Sequence, residues 1–431
     1  MNKNLKRIIT DVIKNKGRKW DICYQARQIF IPKTDNRNLD TCRPITILPT
    51  MIKLMETSIL NQINQEEEQG RIQKIDHRQT GFCTHRSTTF NLLRLQQRIK
   101  KLENQGKTPI VIFYDFKGAF DSPVHDKAWK ALRQQGFSTS LLKQIFWLYG
   151  KVKINNQRIG RGFLQGGIAS PRLYIQYQQQ ALQEVESIIY MKTGKQLDFL
   201  AFADDLAIIA EDSLEMEAIV KQFESTIAYY GLQVNQSKTE YMIMNETRKN
   251  MKLKKEYIER KLKRYKLNYK YCEKFKYLGI RIESNGNIKE NYKHILKKFN
   301  KYKYLLGRVA FITKNTTMIT NTWATFIRAQ FSYGLTLIKE NDRKTTWQQY
   351  LKLYYKSLVQ TLGMFRSMKG EEIARRLMIP QIEEIEQQYK QHVLQQMKKL
   401  TRQQIESKSQ KIKFKNINKE IKMKSSKQMM K

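Results

Sequence analysis

Three aspartates hold the positions best suited to chemistry, in a chain that otherwise favours the opposite charge. Asp204 and Asp205 stand side by side within Phe199–Ala210, FLAFADDLAIIA, between two apolar runs of strand-forming residues. Burying a charged pair inside a strand is costly, so the pattern predicts a tight hairpin with both acids at its turn. Asp115 ends a second run, Ile110–Tyr114 (IVIFY), whose unbroken apolar character fits a strand covered on both faces. If those strands are neighbours, three carboxylates meet. Such a cluster repels itself unless cations neutralise it. Two Mg²⁺ ions, hard and oxygen-seeking, would do so at a spacing of ~3.5–4 Å and create a two-metal phosphoryl-transfer site. A third element, Arg161–Pro171 (RGFLQGGIASP), adds Gly166 and Gly167, which allow close backbone approach, and Ser170–Pro171, which suits a helix start.

The elements that must carry these residues read as alternating types. Short β-rich runs at Arg27–Ile31, Ile110–Tyr114, Phe199–Ala203, Leu206–Ala210, Glu240–Met244 and Lys276–Ile282 are separated by helix-length segments such as Met51–Gln65, Thr88–Leu102 and Leu214–Tyr229. After Pro380, the three- and four-residue steps of Ile382, Ile385, Tyr389, Val393 and Met397 mark one apolar helical face. The pattern predicts an α/β first lobe followed by an all-helical second lobe.

The 431 residues include 80 Lys and Arg against 39 Asp and Glu, a net charge of +41, with 40% hydrophobic residues. That hydrophobic fraction excludes disorder throughout, and the length suits two or three lobes. A polyanionic partner, nucleic acid first, best accounts for the charge. No apolar run approaches the ~20 residues of a membrane-spanning helix, so no membrane partner is expected. The start, MNKNLKRII, lacks the apolar core of a signal peptide. Arg248–Arg308 holds 21 Lys and Arg against 5 Glu, interleaved with Tyr265, Tyr269, Tyr271, Phe275, Tyr277, Tyr302 and Tyr304. Basic residues mixed with aromatics suit phosphate neutralisation plus stacking on bases. Arg402–Lys431, with 10 Lys and Arg against 2 Glu, reads as a flexible basic tail. Four dispersed cysteines and five histidines show no zinc spacing and fit buried free thiols in a reducing compartment.

The motifs DFKGAFD, QGGIASP, FADD, GLQVNQSKT and FKYLGI, in that order, resemble the reverse transcriptase domain of non-LTR (LINE-type) retrotransposons. Upstream, IPKTDNRNLDTCRPITILPTMIKL and QTGFCTHRSTT resemble its finger motifs. Downstream, FIRAQFSYG and LGMFRSMKGEEIARRLMIPQIEEIEQQYKQHVL resemble its helical region, so the likeness covers roughly residues 20–400. It implies a right-hand polymerase: an N-terminal segment and fingers over 1–108, an α/β palm over 109–283 with a helical insertion near 123–160, a helical thumb over 284–400, and a tail over 401–431. It also implies an RNA-directed DNA polymerase using an RNA template, a DNA primer and dNTPs, with two Mg²⁺ ions or Mn²⁺ in their place. Asp115 and Asp204 would bind both ions, Asp205 would be the secondary carboxylate, and the Phe116 carbonyl would complete the coordination. Phe120 takes the place of a gate that excludes the ribose 2′-OH. Gln165 and Gly166 would line the nucleotide pocket, Lys33 and Arg43 would hold the triphosphate, and Lys238 matches a lysine assigned to protonating pyrophosphate. Phe275, Tyr277, Leu278 and Gly279 match the primer grip.

The departures are a short N-terminal region, the absence of an endonuclease module or zinc-knuckle cysteines, and Arg172 with Gln176, Gln178, Gln179 and Gln180 where the family often has leucines. The first two lead one to expect a fragment, a decayed reading frame or a protein relying on a separate endonuclease. The last puts the packing of that helix in question. A group II intron-type reverse transcriptase or maturase, and a non-catalytic nucleic-acid-binding remnant, are the competing readings. An intracellular location, nuclear or cytoplasmic with the nucleus favoured, is expected from the need to meet chromosomal DNA.

Overall fold

The structure, a computed structural model, describes residues 23–32, 42–337, 347–363, 369–396 and 398. Lys33, Met397 and the basic tail lie outside the described residues.

The centre is a five-stranded sheet. It contains β3 (Ile110–Tyr114), β6 (Asp198–Phe202), β7 (Asp205–Ala210), β8 (Glu240–Ile243) and β9 (Lys270–Tyr271), in the order β6-β7-β3-β8-β9. All neighbours are antiparallel except β8 and β9. Side chains alternate between the faces of a strand, and here both faces are covered, which is why IVIFY is apolar without a break. Ile110, Ile112 and Tyr114 join one core. Val111 and Phe113 join another.

Two helices dominate the first core: α5 (Ser170–Thr193), with proline in its first turn, and α6 (Ser213–Tyr229), capped by the Asp212 carboxylate. The questioned glutamines pack well. Gln135 lies fully buried just after α3 (His125–Gln134) and is the hub. Its Oε1 accepts from Gln176 at 3.1 Å and Gln179 at 2.9 Å, while its Nε2 donates to Gln180 and Gln183. Gln176 and Gln179 also donate to the carbonyls of Gln73 and Lys74, pinning that loop onto α5. Most of the polar groups that looked foreign to a helix core bond one another and nearby backbone, leaving Gln176 Oε1 and Gln178 Nε2 buried without a hydrogen bond.

A second sheet has the order β2-β1-β4-β5, from β1 (Gln25–Pro32), β2 (Cys42–Ile47), β4 (Lys153–Ile154) and β5 (Gln157–Arg158). It flanks α1 (Thr50–Glu68) and α4 (Thr139–Lys151). On the second core, α2 (Thr88–Asn104) meets the helices that follow residue 288, starting with α8 (Lys289–Thr313). A basic helix, α7 (Arg248–Arg264), packs against α6 instead, so the two helices of the basic segment lie on opposite faces of the sheet.

Three expectations need correcting. Lys276–Ile282 is not one strand but the hairpin β10 (Lys274–Tyr277) and β11 (Ile280–Glu283). It turns at Leu278 and Gly279, both at positive φ, the backbone that a two-residue hairpin turn requires. Tyr389 is 37% exposed, so only Ile382, Ile385 and Val393 form the buried stripe of helix 382–396. The interleaved aromatics are mostly spent on the protein itself. Tyr269 and Tyr277 are buried, and the Tyr265 and Tyr269 hydroxyls donate to Glu217 and Glu224 at 2.7 Å. Tyr304, at 78% exposure, is the ring of that set left most open to solvent.

Candidate active site

The register of the central sheet brings the acids to one place. Tyr114 pairs with Leu206 across β3 and β7, so Asp115 and Asp205 are the next residues along the two antiparallel strands. Phe202 pairs with Asp205 across β6 and β7, which leaves Ala203 and Asp204 as the two-residue turn. The Asp205 carboxyl is pushed from 3.8 up to about 6, chiefly by burial and then by repulsion from Asp204 and Asp115, while Arg43 pulls the other way. Among the described residues, no three His, Cys, Asp or Glu side chains stand close enough together to hold a metal ion as they are. The donors, three carboxylates and a backbone carbonyl, are all oxygen and suit a hard divalent cation.

The end of β3 is held from the side. The Asp115 amide donates to Thr239 Oγ1 at 3.3 Å, and its carbonyl accepts from the Asn235 amide at 2.7 Å. Buried Phe116 forms a β-bridge with Val234, so GLQVNQSKT brackets the acid. Lys238 belongs to that loop, but its side chain is exposed and makes no ion pair among the described residues. Half-buried Phe120 stacks on Tyr174, with centroids 4.7 Å apart, and meets the edge of exposed Phe82 at 6.1 Å.

The glycine loop lies against β2, which also carries exposed Arg43. The Gln165 carbonyl accepts from the Thr46 amide at 2.6 Å, and Gln165 Nε2 reaches Asp121 at 3.3 Å. Gly166 has φ +112°, and a Cβ there would lie 2.3 Å from the Thr46 carbonyl oxygen. The hairpin β10–β11 stacks Phe275 on Phe113 at 4.0 Å. Buried Tyr277 accepts from Asn91 at 3.3 Å and donates to the Leu200 carbonyl at 3.4 Å, which sets the hairpin against β6, the strand that leads into the Asp204 turn. The Leu278 carbonyl accepts from the Tyr333 hydroxyl, and Gly279 is exposed at the turn.

With this geometry in place, residues 31–282 match the family described as reverse transcriptase (RNA-dependent DNA polymerase). The chain belongs to that family. A right-hand polymerase fold comes with membership in the reverse transcriptase family. The chain is similar to the retrovirus-related Pol polyprotein from the type-1 retrotransposable element R2 of Nasonia vitripennis, 25% identical over 61% of this chain and 26% of that protein. It is similar too to the RNA-directed DNA polymerase from the mobile element jockey of Drosophila funebris, 28% identical over 44% of this chain and 21% of that protein. The chain thus spans about a quarter of the length of these relatives. Among solved structures, apo telomerase from Candida tropicalis aligns with a TM-score of 0.42 at 11% identity, over 79% of this chain and 63% of that chain.

Two residues that hold this reverse transcriptase site together carry no chemical signal in the sequence. Gln79 is buried, and all four hydrogen-bonding positions of its amide are used. Its Oε1 accepts from Ala203 N at 2.9 Å and Gly81 N at 2.8 Å. Its Nε2 donates to the Ala203 carbonyl at 3.2 Å and to Gln178 Oε1 at 3.0 Å. Ala203, at φ +56°, is the strained residue immediately before Asp204, so Gln79 clamps the acid-bearing turn. Glu56, fully buried, accepts from the Ile168 amide at 2.7 Å and from Tyr149 at 3.2 Å, anchoring the glycine loop. Burial raises its carboxyl above the ordinary range, and the two donors oppose the shift.

Proposed function

We propose that this chain is the RNA-directed DNA polymerase of a non-LTR retrotransposon, joining dNTPs to a primer 3′-OH on an RNA template. The observation that carries the reading is the meeting of Asp115 and Asp205 at adjoining strand ends, beside the Asp204 turn. The similarity to the R2 and jockey mobile-element proteins supports the retrotransposon assignment over the intron-type reading.

Asp115, Asp204 and the Phe116 carbonyl would hold two Mg²⁺ ions, with Asp205 beside them, and bound ions supply activation of the attacking hydroxyl and neutralisation of phosphate charge. The chain's own groups place the reactants. Phe120, wedged between Tyr174 and Phe82, presents its ring where the sugar lies and excludes a 2′-OH. Gln165 and Gly166, fixed to Thr46, line the base pocket. Arg43 faces the triphosphate and offsets charge on the departing pyrophosphate, with Lys33 and Lys238 as further cations for that end. The hairpin around Phe275, Tyr277, Leu278 and Gly279 steadies the primer terminus. The 3′ oxygen bonds to the α-phosphorus in line as the bond to pyrophosphate breaks, and orientation supplies most of the rate. Fingers correspond to residues up to 108, the palm to 109–283 and a helical thumb to 284–400.

The test is primer extension on poly(rA) with dTTP and Mg²⁺. Extension that Asp204→Asn abolishes without unfolding the chain is the expected result. RNA binding without extension by the parent protein would overturn the reading in favour of a non-catalytic remnant.

A further inference from the structure

The wall behind Phe120 contains a polar atom without a partner. Tyr174 lies one turn into α5 and is fully buried, with its ring stacked under Phe120. Its hydroxyl is shut off from solvent and makes no hydrogen bond. A buried polar group left unpaired is costly, and phenylalanine would fill the same volume without that cost. One turn further along α5, Gln178 is tied through the Gln79 amide to Ala203, the residue before Asp204, so this face of the helix lies against the acid turn. After burial, Asp204 and then Tyr177 and Asp205 are the groups that hold the phenol protonated. Burial beside two carboxylates keeps it protonated, so what it offers the acid turn is a hydrogen-bond donor.

A carboxylate that ligates a cation through one oxygen keeps lone pairs on the other, and an outer donor that takes them fixes the carboxylate's orientation. We propose, resting on the polymerase reading above, that the Tyr174 hydroxyl is a positioning donor for Asp204. It bonds the outer carboxylate oxygen when a divalent cation draws the acids together. One side chain then joins the sugar gate to the cation site, its ring bracing Phe120 and its hydroxyl orienting Asp204. A second orphaned phenol, Tyr241, is equally buried, but the charges it feels are those of Glu259, Tyr271 and Cys272, none of them a site acid. It serves as the internal control.

The experiment compares Tyr174→Phe and Tyr241→Phe with the parent chain, first by thermal melting in chelator and across a Mg²⁺ and Mn²⁺ titration without nucleic acid, then by primer extension against Mg²⁺. In chelator both variants should melt no lower than the parent, since neither loses a hydrogen bond. Tyr174→Phe should lose most of the cation-induced rise in melting temperature and need about tenfold more Mg²⁺ for half-maximal extension. Its preference for dNTPs over rNTPs should hold, because the ring remains. Tyr241→Phe should titrate like the parent. A Tyr174→Phe curve that overlays the parent in both titrations overturns this inference and leaves the polymerase reading standing. A parent chain with neither a cation-induced rise nor extension removes both.

Discussion

The Asp205 carboxyl, which would ordinarily lose its proton near 3.8, keeps it to about 6 in the cation-free protein. Between those values the folded chain binds more protons at this group than the unfolded chain does. Its contribution therefore makes stability fall as pH rises through the window. Binding a cation needs the deprotonated form, so apparent affinity should climb over the same window and level off above about 6. Melting temperatures at pH 5 to 7.5, with and without Mg²⁺, read both trends, and Asp205→Asn isolates the group. That variant should melt higher than the parent in chelator at pH 7.5. A cation effect that is flat across this range would refute the account. At the neighbouring position, Phe120→Val opens the space that Tyr174 and Phe82 now define. Ribonucleotide incorporation should rise relative to deoxynucleotide, as measured by paired extension assays, and an unchanged ratio removes the gate assignment.

At the scale of elements, the acid turn depends on a side chain 124 residues upstream. Gln79→Leu leaves Ala203 N, Ala203 O and Gly81 N without partners. The expected loss is roughly 1–3 kcal/mol of stability, read by denaturant unfolding. Because the turn presents Asp204, kcat should fall more than KM for dTTP rises; equal activity per folded molecule would show that the clamp serves stability alone. Such long-range ties mark where the sequence stops being readable. The strands β3, β6 and β7 and their acids were legible because apolar period and charge lie within one short window. Gln79 and Glu56 were not, since a glutamine among polar neighbours and a glutamate in a helix look like surface residues until Ala203 and Ile168 fold onto them. The strand β2 escaped notice because Arg43 and Pro44 interrupt it, residues tolerated on the edge that it forms. The basic run Arg248–Arg308 hid two helices and a hairpin under a single compositional signal.

For the whole molecule, the basic stretch Arg248–Arg308 divides its two helices between the two faces of the central sheet. On the face shared with the β10–β11 hairpin, α8 exposes Lys301, Lys303, Tyr304 and Arg308. On the opposite face, α7 exposes Lys249, Lys252 and Lys263. On the proposed function, a template–primer duplex steadied by the hairpin would lie with α8. Replacing Lys301, Lys303 and Arg308 with glutamine should weaken duplex binding and flatten its log–log salt dependence by about one for each phosphate no longer neutralised. The same change at Lys249, Lys252 and Lys263 should leave the slope near that of the parent; equal effects from the two sets would refute the assignment. The sheet order also has a bearing on how the protein is made. Ile110 in β3 pairs with Ala210 in β7 and Ile243 in β8, so its nearest partner in sequence is synthesised 100 residues later. At ribosomal speeds that interval is about 5–20 s, during which IVIFY, an uncharged β-forming pentapeptide, has no strand beside it. Nascent chains halted between residues 120 and 200 should be held by chaperones or precipitate, and those extended beyond residue 245 should become soluble. The strand that ends in Asp115, the acid proposed to hold the ions, is therefore also a segment exposed to misassembly while the chain is still being written.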